Sequence, residues 1–173
     1  MQKLLYLISV TSLLLLAACG DTTEEDLGGN VDTDTTNENT EQQAEDTSNN
    51  EKEINEVIVD NENVKVTLVK IVSKSDDIWG NSVEVVYDVT NKRSDNIEVQ
   101  ARNVSVDDRM VDETLLSMSQ EVAPGKSATA TLTINEFEGY EFPKFENNFE
   151  MTLHIFSWDN MDYTEEHPVS ITF

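Results

Sequence analysis

The stretch "SATATLTI", Ser127 to Ile134, alternates hydroxyl and apolar side chains without a break, setting Ala128, Ala130, Leu132 and Ile134 against Ser127, Thr129, Thr131 and Thr133. Successive side chains of an extended chain point to opposite faces, so this pattern describes a strand with one face on a core and the other in water. The same rule reads outward in both directions. Val83, Val85, Tyr87 and Val89 make one apolar row, Phe149, Met151, Leu153 and Ile155 a second, and Val169, Ile171 and Phe173 a third. Ile97, Val99 and Ala101 supply a weaker row. Val64, Val66 and Leu68 begin a strand whose phase slips through Val69, Lys70 and Ile71, where a bulge is expected.

Turn-forming residues separate these rows: Asp60-Asn61-Glu62-Asn63, the run Asn91 to Asn96, and Ala123-Pro124-Gly125-Lys126. The last has proline and glycine where a type II turn requires them. No stretch keeps helical spacing for long; the window Asp112 to Glu121 suits a short helix or a connecting loop. About seven strands in some 120 residues predict an all-β protein, an antiparallel sandwich over residues 54–173 with a single core.

"VEVVYDVTNKRSDNIEV" (Val83 to Val99) followed by "EVAPGKSATATLTI" (Glu121 to Ile134) resembles the immunoglobulin-like domains of uncharacterised lipoproteins from Gram-positive bacteria. In those, a strand ending in Thr-Asn leads a polar turn, and a Pro-Gly turn opens a later strand. The resemblance implies an immunoglobulin-like topology and no particular activity. Cys19 is the chain's one cysteine, so the disulfide of antibody-type domains has no counterpart here and the sandwich must rest on packing.

That cysteine stands at the end of an export signal. A short N-terminal region with Lys3 precedes an apolar run from Leu4 to Leu16, the length of a secretory signal's core and short of the ~18 to 20 residues of a spanning helix. Leu16-Ala17-Ala18-Cys19 resembles the bacterial lipobox, a large aliphatic residue and two small ones before a cysteine. The resemblance implies that the Cys19 thiol becomes a thioether to diacylglycerol, that residues 1–18 are removed, and that the protein is held on the outer side of the cell membrane. An uncleaved signal anchor, or a secreted protein with a coincidental cysteine, is the alternative.

From Gly20 to Glu53 the chain carries twelve acids and one lysine among Thr, Asn, Gln and Gly. Such a composition predicts a disordered acidic linker over 19–53, because it buries too little surface to offset chain entropy. As a flexible coil its ends lie roughly 30 to 35 Å apart. An acidic tail that captures a basic partner or cations is the other reading. The formal charge of the whole chain is −24, which opposes nucleic acid and anionic lipid because both are bound through lysine and arginine against phosphate.

No catalytic constellation stands out: there is no Gly-x-Ser-x-Gly, no His-Glu-x-x-His and no glycine-rich phosphate loop. The two histidines, His154 and His167, read as structural groups, so neither an enzyme nor a cofactor is expected. Asp107-Asp108 with Asp112-Glu113, and Asp159-Asn160 with Asp162, offer oxygen ligands of the kind calcium prefers, or simply solvated turns. "FEGYEFPKFENNF" gathers Phe137, Tyr140, Phe142, Phe145 and Phe149, while His154, Phe156 and Trp158 share the strand face opposite Met151 and Leu153.

Tyr140, Phe142, Phe156 and Trp158 are thus candidates for a ligand patch, the alternative being that the rings plug one end of the sandwich, with Trp158 expected in the core and Tyr140 at the surface. The expected function is a lipid-anchored surface module that binds a protein or cell-wall partner without catalysis. A carbohydrate-binding aromatic patch, a passive spacer and a calcium-dependent module are the alternatives. Exposed, continuous aromatics would favour binding; complete burial would favour the spacer.

Overall fold

The computed structural model describes residues 22–31 and 53–173. Within them the chain forms β1 (Thr22–Asp26), β2 (Asn30–Val31), β3 (Glu56–Asp60), β4 (Val64–Asp76), β5 (Gly80–Asn91) and β6 (Ile97–Val106). Then follow β7 (Arg109–Met110), β8 (Leu116–Ser117), β9 (Gln120–Val122), β10 (Ser127–Asn135), β11 (Asn148–Phe156) and β12 (Thr164–Thr172). Two antiparallel sheets result. The first runs β4-β5-β10-β8, with β1 and β3 both on the free edge of β4; the second runs β2-β12-β11-β6, with β7 and β9 on the far side of β6.

The apolar rows meet between the sheets. Val64, Val66, Leu68, Val83, Val85, Tyr87, Val89, Ala130, Leu132 and Ile134 come from the first sheet, and Ile97, Val99, Phe149, Leu153, Ile155 and Ile171 from the second, all buried. The Tyr87 hydroxyl crosses the gap and donates to Met151 Sδ at 3.2 Å. The phase slip in β4 is a bulge between Leu68 and Lys70, which lets Ile71 return to the core side. At the Pro-Gly turn Lys126 N–H donates to the Ala123 carbonyl at 3.1 Å and Gly125 has φ +66°, as a type II turn demands. Pro168 lies in β12 beyond the reach of β2, where the missing N–H costs no ladder bond.

The window Asp112 to Glu121, open between a short helix and a connecting loop, holds a 3-10 turn (Glu113–Leu115), capped by the Asp112 carboxylate on Thr114 N–H at 2.9 Å, and then passes into β8 and β9. One expectation is corrected here: the start of the supposed disordered linker is ordered. Thr22–Asp26 pairs antiparallel with β4 from Asp76 to Val72, and Asn30–Val31 pairs with Thr172 and Ile171 of β12. The cause lies in Leu27-Gly28-Gly29. Leu27 packs against the core, Gly28 turns at φ +56° with its N–H on Asp26 Oδ1, and a Cβ at Gly29 would lie 2.5 Å from Ile171 Cγ2. The segment is a strap that closes the edge of both sheets. The remainder of the linker, residues 32–52, the signal peptide 1–18 and Cys19 lie outside the described residues.

Deleting Gly20 to Asn50, silent if the whole segment were a spacer, is therefore expected to cost about 1–3 kcal/mol, since it removes a packed leucine and uncovers two sheet edges. Deleting only Asp32 to Asn50 should stay within about 0.5 kcal/mol. Urea melts of the two variants check this, and equal stabilities would show that the strap contributes nothing.

The long strands give the sandwich two distinct ends. The hairpin end holds the β4–β5 turn, the loop 136–147 and the start of β11; the far end holds Asn61 to Asn63, Arg93, the Pro-Gly turn and the end of β11. At 3.3 Å per residue, β5 separates them by roughly 36 Å.

Candidate functional site

The four candidate aromatics do not form one patch. Tyr140 and Phe142 line a cleft of about 640 Å³ at the hairpin end, with Met110 and Lys144. Phe156 and Trp158 line one of about 420 Å³ at the far end, with Gln100, Arg102, His154 and Met161. Strand β11 lies between, spanning roughly 26 Å. The plug reading holds for part of the loop: Phe145 and Phe149 are buried, stacked at 6.3 Å, Phe145 meets Phe173 edge-on at 5.9 Å, and half-buried Phe142 packs against the same core.

The far-end face follows from strand alternation. Met151, Leu153 and Ile155 point into the core, so His154 and Phe156 point out, and the same phase carries one residue beyond the strand. Ser157 turns inward, and its hydroxyl accepts the N–H groups of Asp159 and Asn160 at 3.2 and 3.3 Å. Trp158 is consequently 64% exposed, and Met161 76%. The expectation of Trp158 in the core is wrong for this reason, while Tyr140 is at the surface as expected. His154 and Phe156 lie 5.1 Å apart between ring centroids, and Phe156 meets Trp158 edge-to-face at 4.9 Å. The result is an unbroken aromatic row that runs from the sheet face onto the bend after β11, bordered by the side chains of Gln100 and Arg102.

A polar girdle beneath this row fixes the two sheets to each other. Glu165 of β12 accepts from Asn61 Nδ2 at 2.8 Å and Asn63 Nδ2 at 2.7 Å, both on the turn before β4, and lies 2.9 Å from His167 Nε2. Arg93 stacks its guanidinium 3.7 Å over the Tyr163 ring and pairs with both carboxylate oxygens of Asp95 at 2.8 and 2.9 Å. Asn91, fully buried, donates to the carbonyls of Asp95 and Val122 and accepts Arg93 N–H, which shapes the loop. None of this was legible beforehand except as turn composition.

Burial pushes the Glu165 carboxyl up, but the hydrogen bonds from Asn61, Asn63 and His167 outweigh it and hold it below its ordinary value of 4.5. A carboxyl depressed by folding contributes stability that is full above that ordinary value and is lost as the pH falls through the lower, folded one. Glu165→Ala is expected to cost about 1–3 kcal/mol at neutral pH, and much less in acid below the folded value. A thermal-melt series over pH checks this; a pH-independent difference would show that the charge is immaterial.

Three of the carboxylates considered for calcium, Asp107, Asp108 and Asp112, have structural duties. Asp107 and Asp108, at φ +50° and +61°, form the two-residue turn between β6 and β7, a conformation for which Asp is well suited. Asp107 also accepts the N–H groups of Glu146, Asn147 and Asn148. Asp112 caps the 3-10 turn. Among the described residues no group of three or more His, Cys, Asp or Glu is placed to hold a metal ion. Also among them, no helix is long and apolar enough to cross a membrane.

No family model matches the chain, and no curated protein matches it. Among solved structures, a FixG-related protein from Vibrio parahaemolyticus is similar over 53% of this chain and 77% of that one, with 14% identity and a TM-score of 0.32.

Proposed function

We propose that this protein is a lipid-anchored surface module, tethered through Cys19 to the outer side of the cell membrane, whose sandwich binds a cell-wall glycan on the aromatic face of the second sheet. The observation that carries the binding reading is the continuous row of half-buried His154 and Phe156 at the end of β11 and exposed Trp158 just beyond it. A passive spacer has no use for a tryptophan held in water. Ring faces suit the C–H face of a sugar, and Gln100 and Arg102 at the border suit its hydroxyls. The net charge of −24 favours a neutral or basic glycan over a phosphate-rich polymer.

Co-sedimentation with insoluble cell-wall material tests this. The wild-type domain should pellet with it, and Trp158→Ala and Phe156→Ala should remain in solution. Each change should cost only about 0.5–1.5 kcal/mol of stability, the size of one aromatic pair with little burial. Undiminished pelleting of both variants would remove the face from the mechanism.

A further inference from the structure

The hairpin end carries a second apolar surface, and the chain itself says what faces it. Thr22 pairs with Asp76, the last residue of β4, and Cys19 lies three residues before Thr22. Three extended residues reach only about 10 Å, so a lipid on Cys19 would hold this end, not the far end, against the bilayer.

The β4–β5 turn is built to present side chains there. Asp76 Oδ1 accepts the N–H groups of Ile78 and Trp79 at 2.7 and 2.9 Å, and Gly80 closes the turn at φ +80°. Ile78 is thereby left 70% exposed and Trp79 83%. Phe137, Tyr140 and Met110 are also exposed at this end. Among the described residues, five of the eight exposed large apolar side chains thus gather where the anchor enters.

We propose that the hairpin end rests on the bilayer surface, with Ile78 and Trp79 inserted at headgroup depth beside the lipid of Cys19. The proposal rests on the anchoring put forward above. Tryptophan favours this depth because its ring is apolar and its N–H is polar. The anchor keeps the turn at high local concentration over the lipid, so a weak interfacial affinity suffices. Acids, Asp77, Glu138 and Glu141 among them, outnumber bases at this end, so the contact is apolar and prefers neutral headgroups to anionic ones. The sandwich then stands on the membrane and holds the Trp158 face at the opposite end, toward the wall.

The chain has two tryptophans, Trp79 and Trp158, so Trp158→Phe leaves Trp79 as its one indole. The full-length lipidated variant is reconstituted in phosphatidylcholine vesicles, with intact mass reporting the diacylglyceryl group and a Trp158→Phe chain begun at Gly20, without signal peptide or lipid, as reference. The expected result is a blue-shifted Trp79 emission, loss of most acrylamide quenching, and quenching by lipids brominated high on the acyl chain. A protein whose mass shows the lipid but whose Trp79 is as open to acrylamide as the reference overturns the docking and leaves the anchoring intact. A mass without lipid overturns the anchoring, and the docking with it.

Discussion

Tyr87→Ala should cost about 3–5 kcal/mol, as for other large buried aromatics, and so unfold much of a population whose total stability is of the order of 5–15 kcal/mol. Tyr87 lies on the central strand of the first sheet, fully buried, and reaches Met151 of the second. Without a disulfide to limit the unfolded chain, the two sheets are held by such packing, by the Glu165 girdle and by the strap of residues 22–31. The hydroxyl is a separate matter. Its bond goes to a thioether, a weak acceptor, so Tyr87→Phe should cost less than about 1 kcal/mol. Burial also pushes the phenol above its usual range, so it should remain un-ionised in alkali that titrates exposed tyrosines. Urea melts of the two variants, with an ultraviolet titration of the wild type, check this; a mild Tyr87→Ala would mean that the sheets are held elsewhere.

Cys19→Ser should leave the protein without lipid and its signal peptide poorly cleaved. A hydroxyl does not replace a thiol in forming the thioether, and the hold of the two acyl chains of a diacylglyceryl group is lost, each buried methylene contributing roughly 0.8 kcal/mol where a single chain binds only marginally. Cells fed a labelled fatty acid should label the wild type and not the variant. A serine variant that still takes up label and sediments with membranes would end the lipoprotein reading. Its folding should be unaffected, because the strap begins at Thr22.

The sandwich was legible because binary alternation is a strong signal wherever one face is buried. Each of the rows of β5, β10 and β11 appears in the core as written in the sequence. Even the bulge in β4 announced itself, as two apolar residues out of phase. The strap was missed because twelve acids dominate the composition of its window, whereas its order depends on one leucine and on a glycine that permits close approach to Ile171. Leu27-Gly28-Gly29 was the available signal, a turn and an apolar residue amid polar repeats.

At the site, the outward phase of His154, Phe156 and Trp158 was also written in the sequence. Trp158 belongs to that outward phase, and no core space opens for its ring because Ser157 takes the inward position. Which aromatics share a surface was not readable, since Tyr140 and Trp158 are close in sequence but lie at opposite ends of a strand that spans roughly 26 Å. The girdle of Asn61, Asn63, Arg93, Tyr163 and Glu165 joins turns more than a hundred residues apart, as in the Asn61–Glu165 pair. No local pattern encodes that.

The two indoles also report separately on whether the far-end aromatic face binds a cell-wall glycan. In the chain begun at Gly20, which keeps the strap, each tryptophan contributes one indole N–H signal in a proton–nitrogen correlation spectrum, one at each end of the sandwich. Titration with solubilised cell-wall glycan should shift the Trp158 signal in a saturable way and leave that of Trp79 in place. A spectrum in which Trp158 does not move, or in which Trp79 alone moves, would contradict the account.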